Sequence, residues 1–276
     1  MTKLRTIGKY IFLIIASFIS VFPLVWMAIS ATNTSVDVVA GRLIPGTHLV
    51  QNFQNLMANQ DVAGAMFNSF KYSIALTLIS LLICSLAGYG FEIFHDKAKD
   101  TVMSVLLLAM MVPFAATMIP LFQMFSKAQM LNTTMGFILP TISTPFLIML
   151  FRQSARSFPH DIIEASRIDG LSEVGIFFKM FFPTMRSTYA AAMTITFMNA
   201  WNSYLWPKVI MQDNASITMP MLVANLKEGY VTDYGMLMLA VLMCTVPTII
   251  IFFILQKSFA EDEAGAGGAT SFSGAF

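Results

Sequence analysis

Charge is what this sequence has least of. Of its 276 residues only 11% are Asp, Glu, Lys or Arg, while 57% are hydrophobic. A water-facing globular domain carries about a quarter charged residues, so the composition points to the membrane class. The net charge of +1 supplies no basic surface for nucleic acid, which removes DNA and RNA from the expected partners. Cysteine is nearly absent. Cys84 and Cys244 sit in apolar runs with no metal-ligand neighbours and no disulfide framework, and read as small apolar fillers. His48, His95 and His160 fall in three different connections, so no hydrolytic or metal-ligating set emerges. The chain also lacks a G-x-x-x-x-G-K-[ST] phosphate loop. Its Gly8-Lys9 pair has Lys3 where the first glycine belongs and Tyr10 after the lysine. Any ATP that drives this protein must be bound elsewhere.

What is there instead is a series of charge-free apolar stretches. A helix crosses a bilayer with roughly 20 mostly apolar residues. Six such spans are expected, near residues 11–31, 70–91, 103–125, 134–151, 188–208 and 236–255. The first is too long for a signal-peptide core and no small-residue cleavage site closes it, so it reads as retained. Leu43 to Gln60 also lacks charge but is rich in Asn, Gln, Pro and Gly, and reads as a loop. Pro113 and Pro120 interrupt the third span, Pro140 and Pro145 mark the fourth, and Pro247 sits in the sixth. Each frees backbone groups that need other partners in lipid, either as kinks in packed helices or as flexible points along a pathway.

Lys3, Arg5, Lys9, Lys97, Lys99, Arg152, Arg156, Arg167, Lys179, Arg186 and Lys257 fall on one side of these spans. The smaller set Arg42, Lys71, Lys127, Lys208 and Lys227 falls on the other. The richer side is expected to be cytoplasmic, with both termini there. No Asp, Glu, Lys, Arg or His lies deep in a span, which argues against a proton-coupled carrier; sodium held by unwound carbonyls stays open.

The longest connection on the cytoplasmic side, Arg152 to Arg186, is not a loose linker. Pro159 suits a first helical turn, with Asp161 near the positive end of the helix dipole. Ile162, Ile163, Ala165 and Ile168 supply an apolar stripe, and Glu164, Arg167 and Asp169 supply charged faces. Gly170 suits a left-handed stop, and Ser172 can cap a second helix from Glu173 to Met180. An amphipathic pair lying on headgroups and a docking element for a cytoplasmic partner both fit this pattern.

Glu164-Ala165-Ser166-Arg167-Ile168-Asp169-Gly170, followed by Met180-Phe181-Phe182-Pro183, resembles the EAA motif of ABC importer permeases. That motif reads E-A-A, three residues, G, nine residues, then I-x-L-P. Ser166, Met180 and Phe182 are mild replacements within it. Phe67-Asn68-Ser69, the Pro113 and Pro120 region with Leu131-Asn132-Thr133, and Trp201-Asn202-Ser203-Tyr204-Leu205-Trp206-Pro207 resemble further parts of the maltose-type sugar permeases, in particular the shorter of their two membrane subunits. The resemblance runs over roughly residues 5 to 260.

It implies an all-α membrane protein with six transmembrane helices, the type I ABC importer permease (MetI-like) fold, and a cytoplasmic coupling helix at 159–170. Residues 1–66 would hold the first span and an extracytoplasmic loop, 67–257 the transmembrane core, and 258–276 a cytoplasmic tail. The implied setting is the bacterial cytoplasmic membrane. The implied partners are a second homologous permease subunit, two ATPase domains that bind the ATP and Mg, and an extracytoplasmic binding protein that delivers a sugar. Glu164, Ala165, Ser166, Arg167, Asp169 and Gly170 would couple to the ATPase. Asn199, Trp201, Asn202 and Tyr204 offer the aromatic faces and amides that sugars favour, although Trp and Tyr also anchor helices at membrane interfaces, and Trp206 and Pro207 beside Lys208 fit that belt. The family's tail is a short glycine-containing segment; here residues 262–276 become Gly/Ala/Ser-rich and read as flexible. A permease for another solute and a stand-alone secondary transporter remain the alternatives.

Overall fold

A computed structural model of the chain describes residues 2–228 and 232–269, with side chains described for 6–228 and 232–254. The described residues form helices and connections without a strand. In chain order the helices are α1 (Thr2–Ser30), α2 (Ser35–Val39), α3 (Leu49–Asn59), α4 (Val62–Ile93), α5 (Lys97–Ala109), α6 (Phe114–Lys127), α7 (Thr134–Ile138), α8 (Pro145–Arg156), α9 (His160–Ile168), α10 (Glu173–Ile176), α11 (Phe182–Thr184), α12 (Arg186–Trp201), α13 (Leu205–Ile210), α14 (Met219–Lys227) and α15 (Tyr234–Ala269). They fall into two compact units, residues 1–66 with 219–247, and 67–218 with 248–276.

Three helices are long and apolar enough to cross a bilayer by themselves: residues 6–30, 62–93 and 234–254. The first is apolar all round and almost wholly exposed, with Phe12, Ile14 and Phe18 open on different faces. Such a surface needs lipid or another membrane helix against it. The expected third span is not one rod. It is α5 and α6, meeting at 98° across a break that Pro113 closes as the N-cap of α6. The fourth is likewise bent, by 58°, between the α7 segment and α8. There Pro145 opens α8, and the Thr144 hydroxyl accepts from the Leu147 amide at 3.4 Å. The fifth, expected at 188–208, is the 16-residue α12, broken at 202–204 before α13. At 1.5 Å per residue α12 is about 24 Å long, short of the roughly 30 Å hydrocarbon layer.

In the unit of residues 1–66 and 219–247, the segment 43–60 is only partly a loop. Its Asn- and Gln-rich half is helix α3, with Asn52 and Leu56 buried one turn apart. The Asn52 amide donates to the carbonyls of Ala31 and Asn33, at 2.9 and 3.0 Å, satisfying acceptors just past the end of α1. Thr34 caps α2, and Ser35 donates to Asp233 at 2.7 Å.

The core of the other unit gathers Leu81, Cys84 and Tyr89 of α4, Ile148 and Phe151 of α8, and Tyr189 of α12, with Phe158, Ile163, Ile176, Phe177 and Phe181 from the connection after α8. Helices α4 and α8 approach so closely that a Cβ on Gly88 would lie 2.7 Å from the Arg152 nitrogen and the Phe151 Cβ. Asn68, buried, donates to the carbonyls of Ala215 and Ile217 and pins the segment ahead of α14. Asn132 takes a left-handed conformation, φ 58°, which lets its side-chain oxygen accept from the amides of Gln212 and Asp213. α15 continues in helical conformation to Ala269, through part of the 262–276 segment expected to be flexible; residues 270–276 lie outside the described residues.

Candidate functional site

The connection between α8 and α12 folds as a docked lever. Helix α9 starts after Pro159, whose backbone is extended (φ −63°, ψ 122°), and ends in a Schellman turn. The Gly170 amide donates to the Arg167 carbonyl at 3.1 Å and the Leu171 amide to the Ser166 carbonyl at 3.0 Å, with Gly170 at φ +81°. Ser172 then caps α10, accepting from the Gly175 amide at 3.2 Å. The second helix is not one regular element to Met180. It is a short α-helix followed by a π-helical turn over Phe177–Phe181. The wider turn puts both Phe177 and Phe181 in the core, ring-stacked at 5.6 Å and flanking Tyr89.

α9 has two distinct faces. Ile163 and Ser166 point inward; the Ser166 hydroxyl donates to the Ile162 carbonyl at 2.6 Å. Glu164, Ala165, Arg167, Asp169 and Gly170 lie outward, and Ile168 is 86% exposed. The expected apolar stripe is therefore split. Only Ile163 of its members serves the core, while Ala165 and Ile168 stand on the open face. Arg167 Nε donates to Glu173 Oε1 at 2.7 Å, bracing α9 against α10 across the Gly170 turn. That carboxylate hydrogen bond holds the Arg167 guanidinium above its ordinary pKa.

Where α9 is hung from the spans, a charged cluster gathers that sequence reasoning missed. Arg152 is 7% exposed. Its Nε lies 3.1 Å from Glu92 Oε2 and its Nη2 2.6 Å from Asp100 Oδ1. Arg156 reaches the other Glu92 oxygen at 3.1 Å, and His95 Nε2 lies 3.0 Å from Asp100. The cluster ties the end of α4, the start of α5 and the end of α8, just ahead of α9. Each group stands at a span end, so position along the sequence gave no hint that they meet.

The second feature is a cavity of about 490 Å³ in the same unit, walled by α12, α13 and the two bent helix pairs. Asn199, Asn202 and Tyr204 line it, as does Trp206. Trp201 does not. It is 1% exposed, edge-on to Phe70 at 4.7 Å and stacked on Phe197 at 5.7 Å, and belongs to the core. Trp206 is likewise no interface anchor. It is 3% exposed, its indole N–H donates to the Gly136 carbonyl at 3.0 Å, and Phe114 and Phe125 meet it edge-on. Thr196, Ser203, Thr141 and Thr144 add hydroxyls to the cavity wall that the sequence did not single out.

Apolar spans with broken helices around a cavity fit the class of a membrane permease. Residues 81–262 match the family described as binding-protein-dependent transport system inner membrane component, and the chain belongs to that family. It is 42% identical over 264 residues to the lactose transport system permease protein LacG of Rhizobium radiobacter, covering 96% of this chain and 97% of that one. It is 34% identical over 248 residues to the arabinooligosaccharides transport system permease protein AraQ of Halalkalibacterium halodurans, covering 88% and 89%. Its fold matches a chain from the crystal structure of a bacterial ABC transporter involved in the import of the acidic polysaccharide alginate. The TM-score is 0.80 at 19% identity, over 93% of this chain and 97% of that chain.

Proposed function

We propose that this chain is the shorter of two homologous membrane subunits of an ATP-driven carbohydrate importer, and that its substrate is an oligosaccharide handed over by an extracytoplasmic binding protein. The lactose and arabinooligosaccharide relatives support the sugar assignment. ATP and Mg are bound by a separate ATPase present as two domains, and this chain contributes no ATPase site of its own. Both termini lie in the cytoplasm.

The observation that carries the reading is the outward face of α9. Ile168, Ala165, Glu164 and Arg167 are exposed on a helix whose other side is built into the same core as α4 and α8. A partner that grips this face moves the spans with it, because the lever shares their packing. Closure of the two ATPase domains on ATP would draw the docked helices together, open the pathway outward, and release it inward after hydrolysis. Glu164 is the charged contact, Ala165 allows close approach, Arg167 and Asp169 flank it, and Gly170 sets the turn. Ser166, buried, supports the helix from within.

Cysteine crosslinking tests this directly. With Ala165→Cys or Ile168→Cys in the assembled transporter, a crosslink to the ATPase that changes in yield between nucleotide-free and ATP-bound states is the expected result. Failure to reach the ATPase from either position, or labelling of these cysteines only from outside the cell, would overturn the assignment.

A further inference from the structure

The cavity behind α12 has a chemistry of its own. Among its lining residues there is no Asp, Glu, Lys, Arg or His. Its polar groups are amides and hydroxyls, from Thr141 and Thr144 on one bent helix pair and from the stretch 196–204. Thr196 and Asn199 lie three residues apart on α12, and Asn202 and Ser203 continue that stretch where the helix ends. The rings of Phe114, Phe146, Tyr204 and Trp206 line the same space. One of the hydroxyls is orphaned: Thr196 Oγ1 is buried, on a residue 7% exposed, and makes no hydrogen bond. That oxygen is shielded from the cavity, so the polar groups open to a ligand on this stretch are those of Asn199, Asn202 and Ser203.

We infer that this cavity is a binding station for a neutral saccharide within this subunit, and that it discriminates against phosphorylated and carboxylated sugars. The inference rests on the importer reading above. A sugar ring has apolar C–H faces and a rim of hydroxyls that both donate and accept. Aromatic rings and the Asn199 and Asn202 amides in one lining match both features, since an amide offers donors and an acceptor together. A volume of about 490 Å³ falls in the range of small-molecule sites and accommodates one or two rings. An anion fares differently. Desolvating a phosphate or carboxylate demands a compensating cation or a convergent set of N–H donors, and this wall holds no cation.

The test uses the assembled transporter without its binding protein, so that selection by that protein does not enter. Asn202→Cys is labelled with a maleimide, and modification of that cysteine is followed by mass spectrometry in the presence of lactose, raffinose or lactose 6-phosphate. At least one neutral sugar should slow labelling, and lactose 6-phosphate should need at least tenfold more for the same protection. Adding Asn199→Leu should raise the half-protecting concentration of the neutral sugar about tenfold. Equal protection by the phosphate, or protection by no sugar, overturns the inference. So does labelling that is slow with and without sugar, which means that a side chain of the partner permease fills the space. ATP-dependent sugar uptake by the complete system, measured in parallel, separates the two levels. Uptake without protection removes only the cavity assignment, whereas no ATP-dependent uptake removes the importer reading on which it stands.

Discussion

Arg152 Nε lies 3.1 Å from Glu92 Oε2, joining α8 to α4 across 60 residues of sequence. The contact sits one helical turn beyond Gly88, where the two backbones come closest. Apolar close approach and a nearly buried ion pair therefore act at one junction, and α9 begins a few residues further on. Each partner has one further contact, Glu92 to Arg156 and Arg152 to Asp100, so the junction is a network and not a single pair.

The first prediction concerns that junction. Arg152→Met should destabilise the purified chain by about 2 kcal/mol, the order of a charge-assisted hydrogen bond, because Glu92 then keeps only the exposed Arg156 and Asp100 only His95, while Arg152→Met with Glu92→Gln should recover part of the loss. Thermal unfolding of the two single variants and the double variant measures the coupling. Additive losses would mean that the pair contributes nothing beyond its individual side chains.

Gly88→Val tests the approach of the two helices. The added carbons would meet backbone and Cβ atoms of α8 at 2.7 Å, and backbone cannot swing aside as a flexible side chain can. The expected outcome is loss of folded protein, seen as aggregation on detergent extraction. Recovery at native yield would show that α4 and α8 have room to separate.

At the lever, Gly170→Pro cannot adopt φ +81° and deletes the amide that donates to Arg167. Uptake should be abolished while the amount of chain in the membrane is unchanged. Gly170→Ala, which can reach the left-handed region at a cost of about 1–2 kcal/mol, should retain part of the activity. Glu164→Lys, on the open face, should abolish uptake without a change in thermal stability. Normal uptake with Gly170→Pro or with Glu164→Lys would reject the coupling role of α9.

Asp37 gives a pH prediction outside the spans. The Thr34 hydroxyl first, then Arg42, hold its carboxyl below the usual carboxylate range. A depressed folded pKa contributes stability that is present above the unfolded value of about 3.9 and lost as pH falls through the folded value. Hydrogen exchange of the 36–41 amides, corrected for intrinsic rates, should be flat from pH 8 to 5 and accelerate below about pH 4. In Asp37→Asn that acid-induced rise should disappear.

The sequence announced what depends on composition and local chemistry. The three straight spans stand out because a long charge-free helix is unmistakable, and the Pro159 start, Gly170 stop and Ser172 cap follow from backbone rules. What it hid depends on partners distant in the chain. Trp201 and Trp206 belong to one motif, yet one ring faces Phe70 and the other hydrogen-bonds to Gly136. Proline marked the breaks in the third and fourth spans, but a bend of 98° as against 58° is set by what each arm packs on. Helix α3 was concealed by its Asn residues, whose weak helix propensity is outweighed by the burial of Asn52 against carbonyls beyond α1. The orphaned Thr196 hydroxyl is invisible without coordinates.

The stop of α12 at Trp201 has one more implication. Non-helical backbone at membrane depth survives only where protein or water satisfies it. The carbonyls at this helix end are met by their own neighbours, with the amides of Asn202 and Ser203 donating to Met198 and Ala200. The break thus lets three successive residues, Asn202, Ser203 and Tyr204, all border the cavity, which neighbours about 100° apart on a regular helix would not do.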